Sequence, residues 1–470
     1  MRHKLQTFSD FAATLLPHET AWLLTEQKFS DAEKCAILER LHYNCTHLQQ
    51  LQAFDDQVDK RKYTYLKQWI QDKLQDSDAD VRFEWINNME RKLTTDLITP
   101  EEEQELLRAL RRAKPTDYFF VKFYELANMF RQFLLIRLRH KEHQQADKFL
   151  KDHKAAWERS KQIFEQLHTA TLDIVQQYSK GAGESAQWQQ WLETVFYDDA
   201  LDGQNRYFAL IRLIFIHLNY GNVSVLLDKL EYQDKIFTQG VYYSKRLLLN
   251  YYGQRLLLHS KLKDYEKAEY YGYLSIRGHN SDYLFYVNNL TAILLRSKKH
   301  AQALALMKSA HEEAKNTRNL YNRIGFVAFY MRCLILNGQS KHADSYGASF
   351  LKAYAREIQE NRWHLFFTNY LAALLQVGKT QRLLSVCRQY KLLQRDSEYT
   401  AASYLPFIPW YYRLAEYLEN GKGLAELAGD IVRFLKDQQR SSDRQSLVWA
   451  FLEEVDAKAP NLIHAVRQKL

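Results

Sequence analysis

Between Pro115 and Pro406 the chain contains no proline. Proline breaks helix interiors and populates the turns of β proteins. A window of that length without it is suited to helix after helix and not to a meander of strands. Glycine is also scarce, at 15 of 470 residues, while Tyr (31) and Phe (25) are plentiful. With 46% hydrophobic and 26% charged residues, a well-packed core is expected. The expectation is an all-α protein.

Inside the window a short polar turn keeps returning: Asn219-Tyr-Gly-Asn222, Lys261-Leu-Lys-Asp264, Ser297-Lys-Lys-His300, Asn337-Gly-Gln-Ser340, Val377-Gly-Lys-Thr380 and Asn420-Gly-Lys422. Each turn follows one apolar helical run and precedes another. A shift of 80 residues lays Asn289–Lys299 over Asn369–Lys379, with Asn, Ala, Leu, Leu and Lys coinciding. The small residues Ala268, Ala303 and Ala343 recur early in the second helices, with Leu383 at the next step. Periods of this size mean helical hairpins that bury their faces against neighbours.

Lys263-Asp-Tyr-Glu-Lys-Ala268 and His300-Ala-Gln-Ala303 resemble the start of the second helix in tetratricopeptide-type repeats, where a small residue lets two helices pack closely. The resemblance covers about residues 205–440. It implies a degenerate tetratricopeptide-like α-solenoid of five to six hairpins that binds a protein or peptide. The expected organisation is an N-terminal helical bundle (1–180), the solenoid (186–441) and capping helices (442–470).

The front half reads as longer helices. Ser30-Asp-Ala-Glu33 has the form of a capping box, and Thr99-Pro100-Glu-Glu-Glu103 combines a cap, proline in the first turn and acid at the positive helix end. One helix is expected from Asp117 to about Lys141, and another from Gln144 to about Tyr178 with Phe164, Leu167 and Leu172 in its apolar spine. Ser179-Lys-Gly-Ala-Gly-Glu-Ser185 is the candidate hinge.

The formal charge of +9 is uneven: from Leu201 onward 37 Lys and Arg stand against 24 Asp and Glu, a net of +13, which leaves −4 on residues 1–200. Lys261, Lys263, Lys298, Lys299, Lys341, Lys379 and Lys422 all fall at the recurring turns. They form either a basic ridge for an anionic partner or a set of cations that offset helix C-terminal dipoles at about 0.3–1 kcal/mol each. Asn289 and Asn369 occupy equivalent first-helix positions, where asparagines of tetratricopeptide-type proteins clamp a bound peptide backbone. The tyrosines from Tyr242 to Tyr286, interleaved with Lys245, Arg246 and Arg255, suit either base stacking or inter-helix packing. A protein partner is expected, and a nucleic acid on the basic half is the alternative.

Enzyme chemistry is not expected. Arg137 and His143 have the spacing of HEPN-type ribonucleases, but Leu138 stands where such sites carry a polar residue. His140 and His143 offer two metal ligands where a site needs three or four, so neither metal nor cofactor is expected. Cys35, Cys45, Cys333 and Cys387 read as reduced thiols of a cytoplasmic protein. Ser9 and Asp10 make the N-terminus too polar for a signal peptide. No run reaches the ~18 apolar residues of a membrane span, and the run Leu210–Leu218, interrupted by Arg212 and His217, reads as a buried core helix.

Overall fold

The computed structural model describes residues 5–180, 185–399, 404–437 and 442–470. Of the candidate hinge, Gly181, Ala182, Gly183 and Glu184 lie outside these residues. Among the described residues α-helix dominates and no strand occurs, so the all-α class holds. The chain divides into two compact units, Met1–Asn280 and Ser281–Leu470.

Unit 1 holds α1 (Gln6–Ala12), α2 (Pro17–Glu26), α3 (Ala32–Thr46), α4 (Lys60–Ser77), α5 (Ala79–Thr94), α6 (Pro100–Arg112), α7 (Phe120–Ile136), α8 (His140–Lys180), α9 (Gln189–Tyr197), α10 (Gly203–Tyr220), α11 (Leu226–Thr238), α12 (Lys245–Lys261) and α13 (Tyr265–Ser275). Local chemistry sets their starts. Thr99 caps α6 by accepting from Glu102 N, and the Glu102 carboxylate accepts from Thr99 N at 3.0 Å. At α3 the cap is Asp31 and not the expected Ser30: its carboxylate accepts from Glu33 N and Lys34 N. Glu33 pairs instead with Lys62 at 2.6 Å and makes no box. The expected helix through Lys141 stops at Ile136, because Leu138 takes a left-handed conformation (φ 55°) and Arg139 N turns back to Leu134 O.

Two apolar clusters organise the front of unit 1. Phe8, Leu23, Leu38, Leu41, Leu66 and Ile70 join α1–α4, and Ile86, Leu107, Phe123, Phe130, Leu134 and Leu150 join α5–α8. Then α8 packs on α10, α10 on α9 and α11, α11 on α2, and α12 on α13.

Unit 2 holds α14 (Tyr283–Arg296), α15 (His300–Ser309), α16 (His311–Asn316), α17 (Leu320–Leu336), α18 (Ser340–Glu360), α19 (Trp363–Gln376), α20 (Thr380–Gln389), α21 (Leu392–Ser397), α22 (Phe407–Asn420), α23 (Leu424–Asp437), α24 (Ser442–Val455) and α25 (Pro460–Lys469). The helices α14, α17, α19 and α22 each pack on the helix that follows, and the first three also pack on the next of the four. The second helices α15, α18 and α20 also touch the next first helix. A short third helix closes two of these steps (α16, α21), and in α18 its place is marked by a break at Tyr354 (φ −132°). These third pieces lengthen the period beyond that of a plain two-helix hairpin. Small residues allow the close approach: Ala303, Ala343 and Gly347 are buried, and a Cβ on Gly347 would lie 2.5 Å from Met331 Sδ.

Candidate functional site

The recurring turn has one backbone solution. Its left-handed residue is Gly221, Lys263, Lys298, Gly338, Gly378 and Gly421, with φ between 57° and 76°. In four turns the next amide donates to the carbonyl five residues back: Asp264 to His259, Lys299 to Leu294, Gln339 to Leu334 and Lys379 to Leu374. This is the six-to-one bond of a Schellman ending, which satisfies a carbonyl the helix leaves orphaned. Glycine takes the conformation freely, whereas an L side chain pays about 1–2 kcal/mol there. Lys263 and Lys298 therefore hold the turn at an energetic cost that glycine avoids.

Within unit 2 successive turns are tied together. Asn337 Nδ2 donates to His300 O at 3.0 Å, Lys379 Nζ pairs with Asp344 at 2.6 Å, and Gln381 Nε2 donates to Glu419 at 3.2 Å alongside Thr380. The turns of unit 2 thus form one continuous edge. Lys298, Lys341, Lys379 and Lys422 are exposed on it, and Lys299 is half-buried at the start of α15. Lys379 pairs with the Asp344 carboxylate. Lys261 and Lys263 are exposed in the turn of unit 1 that joins α12 to α13. Ser281–Leu470 carries 26 Lys and Arg against 17 Asp and Glu, so the whole net charge of +9 belongs to unit 2.

The two asparagines are not alike. Asn369 is buried and gives its amide to Leu365 O of its own helix at 2.8 Å. Asn289 is half-buried, and its Nδ2 has no hydrogen-bond partner among the described residues. Its neighbour Asn288 is the residue that bridges repeats, donating to Asn322 O at 3.1 Å.

The aromatic cluster is largely packing. Tyr242, Tyr243, Tyr251, Tyr252 and Tyr286 are buried, which removes their faces from base stacking. Tyr243, Tyr251 and Tyr252 make polar contacts that sequence spacing does not show. His18 of α2 reaches Tyr252 Oη at 2.6 Å and Asp234 at 2.8 Å. Asp234 also accepts from Tyr251 at 2.8 Å and pairs with Arg255 at 3.3 Å. Buried Glu19 accepts from Tyr243 Oη at 2.6 Å. Asp80 receives Arg246 through two nitrogens and Ser244 Oγ at 2.6 Å. Burial pushes the Asp80 carboxyl up, but Arg246 and Ser244 outweigh it and hold the group below its ordinary range. The signal available in sequence was the placement of Asp234 and Arg255 among aromatic neighbours; the third partner, His18, lies 216 residues from Asp234.

Arg137 lies over the Phe133 ring at 3.7 Å and pairs with Asp96, which gives it a structural occupation at the end of α7. His143 is half-buried one turn into α8. Burial pushes the thiols of Cys45 up to about 11 and of Cys333 and Cys387 up to about 12, so they stay protonated and poor nucleophiles near neutrality. Among the described residues, no helix is long and apolar enough to cross a membrane.

Comparison of the chain with protein-family models, with curated proteins and with solved structures finds no match.

Proposed function

We propose that the chain is a non-enzymatic, tetratricopeptide-like repeat adaptor that binds an acidic segment of a protein partner through the turn edge of unit 2. The observation that carries this reading is the edge itself: turns tied side by side, exposed lysines on them, and Lys298 in a conformation that costs stability. The left-handed geometry does not call for a lysine there, since Gly338 and Gly378 serve it. Such an edge attracts anions and steers their approach. The Asp344 and Glu419 carboxylates and the neutral Gln339, Ser340 and Thr380 interrupt the cations, and that spacing favours a protein segment over an unbroken phosphate backbone.

The test is fluorescence anisotropy of the full chain with a labelled, Asp- and Glu-rich 15-residue peptide at low and at ~0.2 M salt. Saturable binding that falls at least tenfold with salt is expected. The triple variant Lys298→Glu, Lys341→Glu, Lys422→Glu should lose it while its thermal unfolding is kept. Binding unchanged in the triple variant refutes the reading, and tighter binding of single-stranded RNA than of the peptide replaces the partner class with nucleic acid.

A further inference from the structure

Two residues expected in the core spine of α8 stand in solvent. Phe164 and Leu172 are 46% and 50% exposed, while Ile163, Leu167, Ala170 and Ile174 of the same helix are buried. The neighbouring α10 repeats the pattern: Phe215 and Tyr220 are 40% and 47% exposed, although Leu213, Ile214 and Ile216 are buried. The helices pack on each other, and the rings of Phe164 and Phe208 meet at 6.4 Å. Together they present an apolar stripe of about 12–18 Å, or roughly three helical turns.

Arg212 borders the stripe where the two helices meet, its guanidinium carbon 5.6 Å from the Phe208 ring. Its Nε donates to Leu167 O at 2.9 Å and Thr171 Oγ1 at 2.8 Å, and its Nη1 donates to Phe208 O at 2.9 Å. Among the described residues no carboxylate pairs with it. Burial lowers its pKa to about 10, with no acidic neighbour to oppose the shift. A half-buried guanidinium held by two carbonyls and a threonine beside apolar surface, with no counter-ion among the described residues, is half of an ion pair.

From this geometry we infer that the α8–α10 stripe is a second docking surface, and that its occupant is an amphipathic helix of another protein carrying one carboxylate in its apolar face. The carboxylate meets Arg212, and large apolar residues at i, i+3 or i+4, and i+7 cover Phe164, Leu172 and Phe215, the usual way a helix is read by a groove. A second copy of this chain fits poorly. A two-fold contact centred on the stripe places Arg212 against its own copy, and two desolvated like charges repel. The surface belongs to unit 1 and is independent of the unit 2 edge, so an adaptor with both could bridge two partners.

The experiment is selection from a displayed library of helical 14-residue peptides on the full chain, with the Phe164→Asp, Phe215→Asp variant as the counter-selected bait. Both substitutions fall on exposed side chains, so the fold is kept, and circular dichroism checks this. The expected winners carry an apolar heptad-like face with one Asp or Glu inside it and lose at least tenfold in affinity for Arg212→Gln. Replacing that acid by Gln in the peptide should weaken binding to the parent chain tenfold and leave binding to Arg212→Gln unchanged. Failure to enrich any peptide over the variant bait overturns the inference. So do winners without an acid, and so does a concentration-dependent doubling of mass that Phe215→Asp abolishes, which would assign the stripe to self-association.

Discussion

The pair formed by Arg332 of α17 and Glu454 of α24 is the sharpest place to test how unit 2 is held. Glu454 is 8% exposed and Arg332 25% at the side chain, so the ion pair is desolvated and joins the last helices to the repeats. Gln376 adds a hydrogen bond to Glu454 O at 2.9 Å. Burial alone would pull the Arg332 guanidinium down, but Glu454 outweighs it and the pKa rises. Removing one partner leaves the other charge buried and uncompensated, at about 3–5 kcal/mol, while exchanging both for apolar groups of similar volume is often neutral. Glu454→Leu should therefore cost unit 2 about 3–5 kcal/mol, a large share of the roughly 5–15 kcal/mol that holds a domain folded. The double variant Arg332→Met, Glu454→Leu should return to within ~1 kcal/mol of the parent. Because the chain has two units and a single transition is not assured, the assay is native-state hydrogen exchange under increasing urea, read on peptides from α17, α19 and α24. A Glu454→Leu cost under ~1 kcal/mol, or a double variant as unstable as the two singles added, would show that α24 is held by apolar packing alone.

Three further outcomes follow from the geometry. His259 is buried, neither ring nitrogen is hydrogen-bonded among the described residues, and burial followed by Arg255 outweighs Asp264, 3.8 Å from Nδ1, to lower its pKa from 6.5 to about 4. The unfolded state binds the proton more readily, so roughly 3 kcal/mol of stability is complete above the unfolded value and lost as pH falls through the folded one. Urea titrations from pH 7 to pH 4 should show that loss, and His259→Phe should flatten the acid slope. Gly347→Ala sets a Cβ 2.5 Å from Met331 Sδ and 2.7 Å from Tyr370 Cδ2, and should cost about 1–3 kcal/mol by overpacking, measured by thermal unfolding. Lys298→Gly relieves about 1–2 kcal/mol of left-handed strain but loosens the unfolded chain by about 0.5–1 kcal/mol. Stability should stay level or rise slightly while affinity for the acidic peptide falls, and a parallel loss of both would refute a binding role for that lysine.

The repeat was legible because a helix ending is local. The bond from residue 264, 299, 339 or 379 to the carbonyl five back depends on a handful of neighbours, and those neighbours recur in the sequence. The sequence shift of 80 residues that aligned Asn289 with Asn369 also aligns two of these bonds. The roles of the two asparagines were not legible. Whether an amide bonds its own helix, as in Asn369, or has no hydrogen-bond partner among the described residues, as in Asn289, depends on how neighbouring helices are set.

The α8–α10 stripe shows the other limit. Periodicity marks which positions of a helix are apolar, but it does not say how many of its faces are covered. In α8 the positions 163, 167, 170 and 174 and the positions 164 and 172 both repeat at helical spacing, and only the first set is buried. The apolar run Leu210–Leu218 reads as a buried core helix, and Leu210, Leu213, Ile214 and Ile216 are indeed buried; what the run does not show is the bonding of Arg212. Its hydrogen bonds go to main-chain carbonyls and a threonine, which fix its direction without cancelling its charge. A half-buried cation with a fixed direction and no counter-ion among the described residues costs stability in the isolated chain, and on the docking inference that cost is recovered when a carboxylate arrives from outside.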